Sequence, residues 1–447
     1  MPVKYHSAKK RLAKNIFSLS IVQLANNVLP LITIPFLVRV IGAEKFGAIN
    51  FMAAIIMYFT LFIQYSFDLT ATRKVATKEL SDGERSRVFS EVFYTKLLLL
   101  GFSTVVFTIL ICFVPQFSSE RLLAIYSFLY CLSLVITPNW LFQGMQDLYK
   151  IALCNLISKL LFVIFLLLCI KKQDDYILYP LIYSSATILV GIVTFVFSIK
   201  KYKIKIQKVT LIDIFKILIK EKTLFLPIIL VNIYTSANLI IIGFLETNYE
   251  VAIYSAGWKL IVVIQTLLLM PMSLSLFPYI GESFNKDRLQ GIEKIKQIVP
   301  LVFLITAFAG VVIFLTAPYI IKTFYGVEFL GSILIMKILC FIPLFSSLNN
   351  LLGMQAMVNL NLDKLYLKST FVSAIVGIVL SLILTVQLGI AGTAYSWILT
   401  ELITGAFLWV ALKNRKINLF DLNFFNYTHV LRICLPMFYV LKRKFSK

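Results

Sequence analysis

The chain has 447 residues, of which 60% are apolar or aromatic and only 14% are charged. A soluble domain usually carries about 25% charged and about 45–50% apolar residues, so this composition excludes a string of ordinary water-soluble domains. The formal net charge is +22. Because a bilayer can solvate apolar surface that water cannot, the sequence predicts an all-α polytopic membrane protein.

Twelve stretches are long and apolar enough to cross a bilayer, which takes about 20 residues per helix. In chain order they are 15–41, 46–66, 94–114, 121–143, 150–170, 177–199, 223–245, 251–280, 297–320, 328–353, 365–388 and 390–412. The last two are separated only near Gly389, and the eighth contains Pro271 and Pro278. Membrane helices tolerate internal prolines because neighbouring groups satisfy the freed carbonyls.

Lysine and arginine are distributed unevenly between these spans. With the N-terminus placed in the cytoplasm, 32 of the 43 basic residues fall in cytoplasmic segments and six in outer segments. Cytoplasmic loops of membrane proteins carry such an excess, so both termini are predicted to be cytoplasmic. The basic residues would face anionic membrane lipid, which accounts for the net charge without a nucleic-acid partner.

The segment 200–222 interrupts the series of spans with eight lysines and an amphipathic run. This pattern predicts a cytoplasmic linker that lies on the membrane surface. The predicted organisation is an N-terminal lobe (1–199), the linker (200–222), a C-terminal lobe (223–412) and a basic cytoplasmic tail (413–447). A faint repeat agrees, because Phe46–Asn50 enters span two as Glu250–Tyr254 enters span eight. Six spans in each half predict a parallel repeat of two lobes around a central cavity.

Charged residues deep inside the spans are candidates for function, because each costs at least ~2.5–3.5 kcal/mol at the bilayer centre. Lys159 lies near the middle of span five, and Lys259 and Lys337 lie in the outer thirds of spans eight and ten. They could form a cationic lumen for an anionic substrate, or they could snorkel or form ion pairs. Polar stripes containing Asn27 on span one and Asn238 on span seven fit either a wet cavity or helix–helix hydrogen bonds.

Three other charged residues inside the predicted spans have different interpretations. Glu401, in the middle of span twelve, could exchange protons during transport or could pair with a lysine to hold the lobes together. Lys96 and Lys368 lie within one turn of predicted cytoplasmic ends, so their ammonium groups are expected to snorkel to the interface.

The most distinctive stretches are LVRVIGAEKFGAINF, DLTATRKVA, PNWLFQGMQDLYKIALCNLISKLL, VAIYSAGWKL, FYGVEF and LGIAGTAYSW. From about residue 15 to 412 the chain resembles the Wzx-type O-antigen flippases. These are polysaccharide transporters of the multidrug/oligosaccharidyl-lipid/polysaccharide superfamily. The resemblance implies two six-helix lobes that move an undecaprenyl-pyrophosphate-linked oligosaccharide from the cytoplasmic to the periplasmic leaflet of the bacterial inner membrane. It also implies a cationic cavity.

Residue by residue, the family carries basic side chains at positions that match Arg39, Arg73, Lys159, Lys259 and Lys337. The resemblance therefore makes Arg39 and the three lysines candidates for contact with substrate and Arg73 a candidate for a cytoplasmic gate. Asn27 and Asn238 join the candidate lumen residues through their polar stripes. Asp68 joins Glu401 as a candidate for ion coupling. The chain departs from the residues more frequent in the family at Ser66, Asp68 and Trp258. These departures affect what can be transferred about ion coupling and leave the class of protein unchanged.

No enzyme, metal or cofactor is expected. His6 and His429 are the only histidines, the six cysteines have no CxxC spacing, and no phosphate-binding loop occurs. A membrane glycan polymerase would need large outer loops, whereas the longest predicted outer connection is 321–327. A cation-coupled drug exporter would carry more deep acids, and a lipid II flippase is the closer alternative because its cargo also carries a pyrophosphate. A glycan polymerase and a chain-length regulator are possible protein partners.

Overall fold

A computed structural model describes residues 2–77 and 80–426, with most side chains from Leu29 onward. These residues form helices and turns, and no β-strand occurs among them. The helices before residue 246 are Pro2–Gln64 (α1), Phe67–Thr77 (α2), Asp82–Phe113 (α3), Pro115–Ser118 (α4), Arg121–Phe128 (α5), Tyr130–Ile136 (α6), Asn139–Gly144 (α7), Leu148–Cys169 (α8), Leu178–Lys201 (α9) and Leu211–Leu245 (α10). Those that follow are Asn248–Lys286 (α11), Arg288–Phe324 (α12), Ser332–Leu339 (α13), Ile342–Asn350 (α14), the π-helical turn Leu351–Val358, and Asp363–Lys413 (α15).

Two of the long helices contain a sharp break where the sequence predicts a boundary between spans. Gly42 has φ 75° inside α1, and Gly389 has φ 60° inside α15. Positive φ is accessible to glycine without steric cost, so each glycine reverses or kinks the chain between two apolar stretches. The predicted separation of 15–41 from 46–66, and of 365–388 from 390–412, therefore matches the backbone.

Prolines have different effects at different positions. Thr137 is extended just before Pro138, and this separates α6 from α7 within the predicted fourth span. Pro343 occupies the first turn of α14, where a missing N–H leaves no intrahelical bond unmade. Pro271 and Pro278, in contrast, lie inside α11, which continues past both of them. A proline therefore ends a span only where the preceding residue also leaves the helical region.

Nine segments of the described residues are long and apolar enough to cross a membrane. Two of them contain a glycine break: Ile32–Ala76 contains Gly42, and Asp363–Lys413 contains Gly389. In addition, α10 covers the predicted seventh span. The fold is therefore that of an all-α, multi-pass membrane protein, and twelve crossings are compatible with it. Large apolar side chains such as Phe113, at 81% exposure, and Phe308, at 70%, face outward on these helices, as lipid contact requires.

The described residues form two compact units. The first comprises the described residues up to Ala252 together with Phe324–Glu328, and the second comprises Ile253–Thr323 together with the described residues from Phe329 onward. Each has its own apolar core: Phe67, Trp140 and Phe142 are buried in the first, and Ile295, Met357 and Leu408 in the second. The predicted division at 200–222 into two six-span lobes remains a prediction, and the tail from residue 427 lies outside the described residues.

Within the first unit, α1 and the first turn of α11 approach each other closely at Gly47. A Cβ atom at Gly47 would lie 1.7 Å from the backbone oxygen of Asn248 and 3.1 Å from the backbone nitrogen of Ala252. Because backbone atoms cannot move aside as a flexible side chain can, only glycine fits here. The two segments of the faint internal repeat therefore pack against each other at this point.

Candidate functional site

A buried carboxylate lies in the second unit where α14 packs against α15. Glu401 is 9% exposed, and its Oε1 accepts a hydrogen bond of 2.9 Å from the Ser346 hydroxyl. The amide Nδ2 of Asn349 donates to Oε2 at 2.7 Å and also to the backbone oxygen of Glu401 at 2.9 Å. Ser346 and Asn349 are three residues apart, so the helical repeat places both on the face of α14 that meets Glu401.

The partners of Glu401 are neutral. Among the residues that the structure describes, no lysine or arginine forms an ion pair with it. The interpretation of Glu401 as an acid paired with a lysine therefore finds no support in this part of the chain. The carboxylate borders a cavity of about 280 Å³ with aromatic walls at Phe345, Trp409 and Phe420. A buried anion held only by neutral donors can be stabilised further by binding a proton or another cation.

Lys96 is a second charge inside the helices, and here the expectation of snorkelling was wrong. Its side chain is 3% exposed, and Nζ donates to the backbone oxygen of Leu134 at 3.2 Å. In an uninterrupted helix that oxygen would accept from the N–H of residue 138, but residue 138 is proline and has none. The Lys96 ammonium thus supplies the donor that Pro138 removes. The Pro138 position within an apolar span was the signal that could have identified this contact.

Asp68 lies half-buried in the first turn of α2, where the helix N-terminus favours a negative charge. Its carboxylate interacts electrostatically with Lys96 and with Tyr130. The structure therefore brings one predicted coupling residue, Asp68, into the electrostatic environment of a lysine that the sequence had assigned to the interface. Arg73, one and a half turns further along α2, is exposed.

The predicted substrate-contacting residues are divided between the two units. Arg39 is exposed near the break of α1, Lys159 is half-buried on α8, and Asn238 is buried on α10. In the second unit, Lys259 is half-buried on α11, and Lys337 Nζ lies 4.9 Å from the centre of the Phe314 ring. The side chain of Asn27 lies outside the described residues. The predicted cationic lumen would draw on both units and remains a prediction.

The segment that follows α9 contacts α3 of the first unit through hydrogen bonds and an ion pair. The backbone N–H groups of Lys205 and Gln207 donate to the hydroxyls of Ser86 and Ser90 on α3, at 3.0 and 2.8 Å. Further along, Arg87 forms an ion pair of 3.1 Å with Asp213. These contacts attach the predicted linker to α3, which the lysine pattern by itself did not indicate.

The same segment is also joined to α2 and to the end of α1. Lys74 forms an ion pair of 2.9 Å with Glu221, whose side chain is almost fully buried. The Tyr65 hydroxyl donates to the backbone oxygen of Leu218 at 2.9 Å, and the Tyr65 ring stacks on Phe225 at 4.0 Å. The first half of α10 is thereby held against α2 and the end of α1 within the first unit.

The arrangement of helices is that of known membrane transporters. The structure is similar to "Lipid II flippase MurJ, inward closed conformation", with a TM-score of 0.68, 17% identity and coverage of 95% of this chain and 92% of that one. It is also similar to the inward-facing conformation of a multidrug resistance MATE family transporter of the MOP superfamily, with a TM-score of 0.66, 15% identity and coverage of 90% and 98%. At these identities the likeness establishes the fold.

The sequence comparisons define the family. Residues 12–284, more than half of the chain, match the family of polysaccharide biosynthesis proteins, and the chain belongs to that family. A relative from Escherichia coli strain K12, described as a candidate O-antigen transporter, is 26% identical over 410 residues, which are 92% of this chain and 98% of the relative. The resemblance seen in the sequence motifs is thus confirmed, and the relatives named here are transporters and not enzymes.

Proposed function

We propose that this protein is a flippase for a polyprenyl-pyrophosphate-linked oligosaccharide, the repeat unit of an O-antigen or of another surface polysaccharide. It carries this lipid from the cytoplasmic to the outer leaflet of the bacterial inner membrane by alternating access. The observation that carries the proposal is that a member of the polysaccharide biosynthesis family has the fold of a flippase for another lipid-linked saccharide. The O-antigen transporter relative, matched along nearly its whole length, supports the same cargo class.

The physical demand of this cargo suits the predicted lumen. A pyrophosphate and a chain of sugars cannot enter hydrocarbon without replacing their hydration, because burying an unpaired charge costs many kcal/mol. Lys159, Lys259 and Lys337, with Arg39, would replace the water around the pyrophosphate. The polyprenyl tail would stay in lipid. Asn27 and Asn238 would donate to sugar hydroxyls.

Transport against a gradient requires a coupled ion, and Glu401 is the proposed coupling residue. It is buried, its hydrogen-bond donors are neutral, and it borders a cavity. Binding of a proton or another cation would remove an uncompensated charge and change the packing of α14 on α15. Asp68, which interacts with the buried Lys96, is the second coupling candidate, and Arg73 is the proposed gate residue at the cytoplasmic side.

A lipid II flippase is the second candidate, because the structure of this chain is similar to that of the lipid II flippase MurJ, with a TM-score of 0.68. The two candidates share a pyrophosphate and differ in the saccharide. After translocation, a polysaccharide repeat unit would be used in the outer leaflet by a glycan polymerase and its chain-length regulator. Lipid II would instead be used for peptidoglycan synthesis.

Deletion of the gene in its host tests the proposal. We expect surface glycan to disappear and the lipid-linked oligosaccharide to accumulate on the cytoplasmic side, while incorporation of labelled cell-wall precursor continues at the normal rate. Arrest of peptidoglycan synthesis would favour the lipid II candidate instead. Normal surface glycan after deletion would contradict the proposal.

Single substitutions then test the lumen. Ala in place of Lys159, Lys259 or Lys337 should reduce surface glycan without lowering the amount of folded protein, and Arg should retain more function than Ala because the charge is kept. Lys368→Ala, at an exposed position on α15, is the matched control. Wild-type export by all three Ala variants would contradict the lumen assignment and leave the family unaffected.

A further inference from the structure

The first unit contains a cavity of about 450 Å³ between α1, α5, α6 and α9, within the ~300–1,000 Å³ usual for small-molecule sites. Six hydroxyl-bearing side chains line it: Thr60, Ser127, Tyr130, Tyr179, Tyr183 and Ser184. The rest of its lining is apolar, and none of the described residues that line it is charged. The lysines proposed for the lumen and Glu401 do not line this cavity. Asp68, the second coupling candidate, lies outside the lining and interacts electrostatically with Tyr130.

The three tyrosine rings are held in place by aromatic contacts. Phe162 on α8 meets the Tyr179 and Tyr183 rings edge to face, each with centres 5.4 Å apart and planes at 87°. Tyr130 and Tyr183 lie 5.2 Å apart with planes at 38°. Tyr179 and Tyr183 are one helical turn apart on α9, so both present to the same side. Because these rings are already positioned, a ligand loses little by ordering them.

Toward a ligand, most hydroxyl groups of the cavity would act as hydrogen-bond acceptors, because their own protons are already donated within the protein. The Thr60, Ser127 and Ser184 hydroxyls each donate to a backbone oxygen, at 2.7, 2.7 and 2.9 Å, which leaves their lone pairs for another group. Tyr130 and Tyr183 interact with each other through their hydroxyls. The Tyr179 hydroxyl has no hydrogen-bond partner among the described residues. A ligand with several hydroxyl groups could donate to the free lone pairs and also accept a hydrogen bond from the Tyr179 hydroxyl.

We propose that the tyrosine cavity binds a neutral sugar ring of the cargo. This assignment rests on the proposed function and adds where the saccharide is recognised. A sugar ring has an apolar C–H face, which can pack on a tyrosine ring, and hydroxyl groups, which can donate to the free lone pairs. The pyrophosphate would find no positive charge here. A polyprenyl tail would leave the Tyr179 hydroxyl unpaired, which is costly in an apolar site.

Binding to the purified full-length protein in detergent tests the assignment with two probes. One is the lipid-linked oligosaccharide extracted from the host, and the other is undecaprenyl pyrophosphate without sugars. Tyr179→Leu and Tyr183→Leu should weaken binding of the saccharide-bearing lipid at least about threefold, the size expected for a lost aromatic contact. Binding of the sugar-free lipid should be unchanged, which also shows that the variants are folded.

Two further variants sharpen the comparison. Tyr179→Phe keeps the ring and removes the hydroxyl, so it should lose less than Tyr179→Leu. Tyr395→Leu, at a tyrosine of α15 that is 45% exposed, should not discriminate between the probes.

Equal loss for both probes, or no loss for either, would overturn the sugar site while leaving the flippase proposal intact. If the wild-type protein binds neither probe, the proposed function fails, and the sugar site fails with it.

Discussion

Asn349 holds Glu401 at two points. Its Nδ2 lies 2.7 Å from the carboxylate Oε2 and 2.9 Å from the backbone oxygen of the same residue. Ser346, one turn earlier on α14, donates to the other carboxylate oxygen at 2.9 Å. The Trp397 side chain, one turn earlier on α15, also hydrogen-bonds the carboxylate. Neutral donors from both helices thus orient the carboxylate and would keep it in place when it gains or loses a proton.

From this geometry we predict that Asn349→Ala destabilises the protein more than Glu401→Gln does. The first change removes a donor from a buried carboxylate, at a cost of about 1–3 kcal/mol. The second keeps the size of the side chain and removes the charge. Thermal unfolding in detergent measures both, with Gln387→Ala at an exposed position of α15 as the control. In cells, Glu401→Gln should retain folded protein and lose ion-driven export.

The two outcomes of Glu401→Gln separate coupling from structure. Folded protein that binds the lipid-linked cargo and no longer exports it in response to an ion gradient agrees with a coupling role. Loss of the folded protein would instead assign Glu401 to packing between α14 and α15.

Lys96 and Pro138 should behave as a compensating pair. Lys96→Met removes the donor to the Leu134 oxygen and is expected to cost about 1–3 kcal/mol of unfolding free energy. Pro138→Ala introduces a backbone N–H four residues after Leu134, so the double variant should be more stable than Lys96→Met alone. Unfolding midpoints of the two single variants and the double variant measure this coupling. A double variant as unstable as Lys96→Met would contradict the explanation from Pro138.

Gly47→Ala tests the close approach of α1 to α11. The added Cβ would meet the Asn248 oxygen at 1.7 Å, so the two helices must separate or the variant must misfold. We expect a marked loss of folded protein, measured by size-exclusion chromatography of a fluorescent fusion. Gly101→Ala is the matched control, because a Cβ at Gly101 meets nothing within 4 Å. Equal yields of the two variants would show that α11 lies further from α1.

Acid should loosen the predicted linker through Asp213. The Thr210 hydroxyl, which donates to the carboxylate at 2.9 Å, and the nearby Arg87 lower the pKa of Asp213 below its usual value. A lowered pKa stabilises the folded state above the unfolded pKa of about 3.9, and this contribution is lost as pH falls through the folded value. Asp213→Asn should therefore reduce the change in stability between about pH 5 and pH 3. An unchanged pH profile would exclude this contribution.

The predicted orientation can be tested with single cysteines in a cysteine-free background. A cysteine at Asn248 or Lys322 should react with a membrane-impermeant thiol reagent in intact cells, and one at Lys205 should not. The excess of lysine and arginine in segments such as 200–222 is the reason, since basic loops stay in the cytoplasm. Labelling at Lys205 from outside would reverse the topology and, with it, the lumen assignments.

Sequence alone was enough to predict an all-α membrane protein, to place a span boundary between residues 41 and 46, and to locate the break near Gly389. These predictions were possible because they depend on local properties. The length of an apolar run decides whether a helix can cross the bilayer, and a glycine allows the positive φ that a break requires. The distinctive motifs also led to the family. Charge placement was less informative, because Lys96 is one turn from a predicted interface and yet is buried.

Which distant residues meet became visible only in the packed helices. Glu401 and Asn349 are 52 positions apart, Lys96 and Leu134 are 38 apart, and the tyrosine cavity draws on four helices. Each contact depends on how a helix is rotated about its axis and on where a proline displaces it. Apolar composition leaves this rotation almost undetermined, because a helix that is hydrophobic on all sides packs equally well through several faces. In this protein, the face that each helix turns to its neighbours is fixed by specific polar contacts, such as Asn349 with Glu401 and Lys96 with the Leu134 carbonyl.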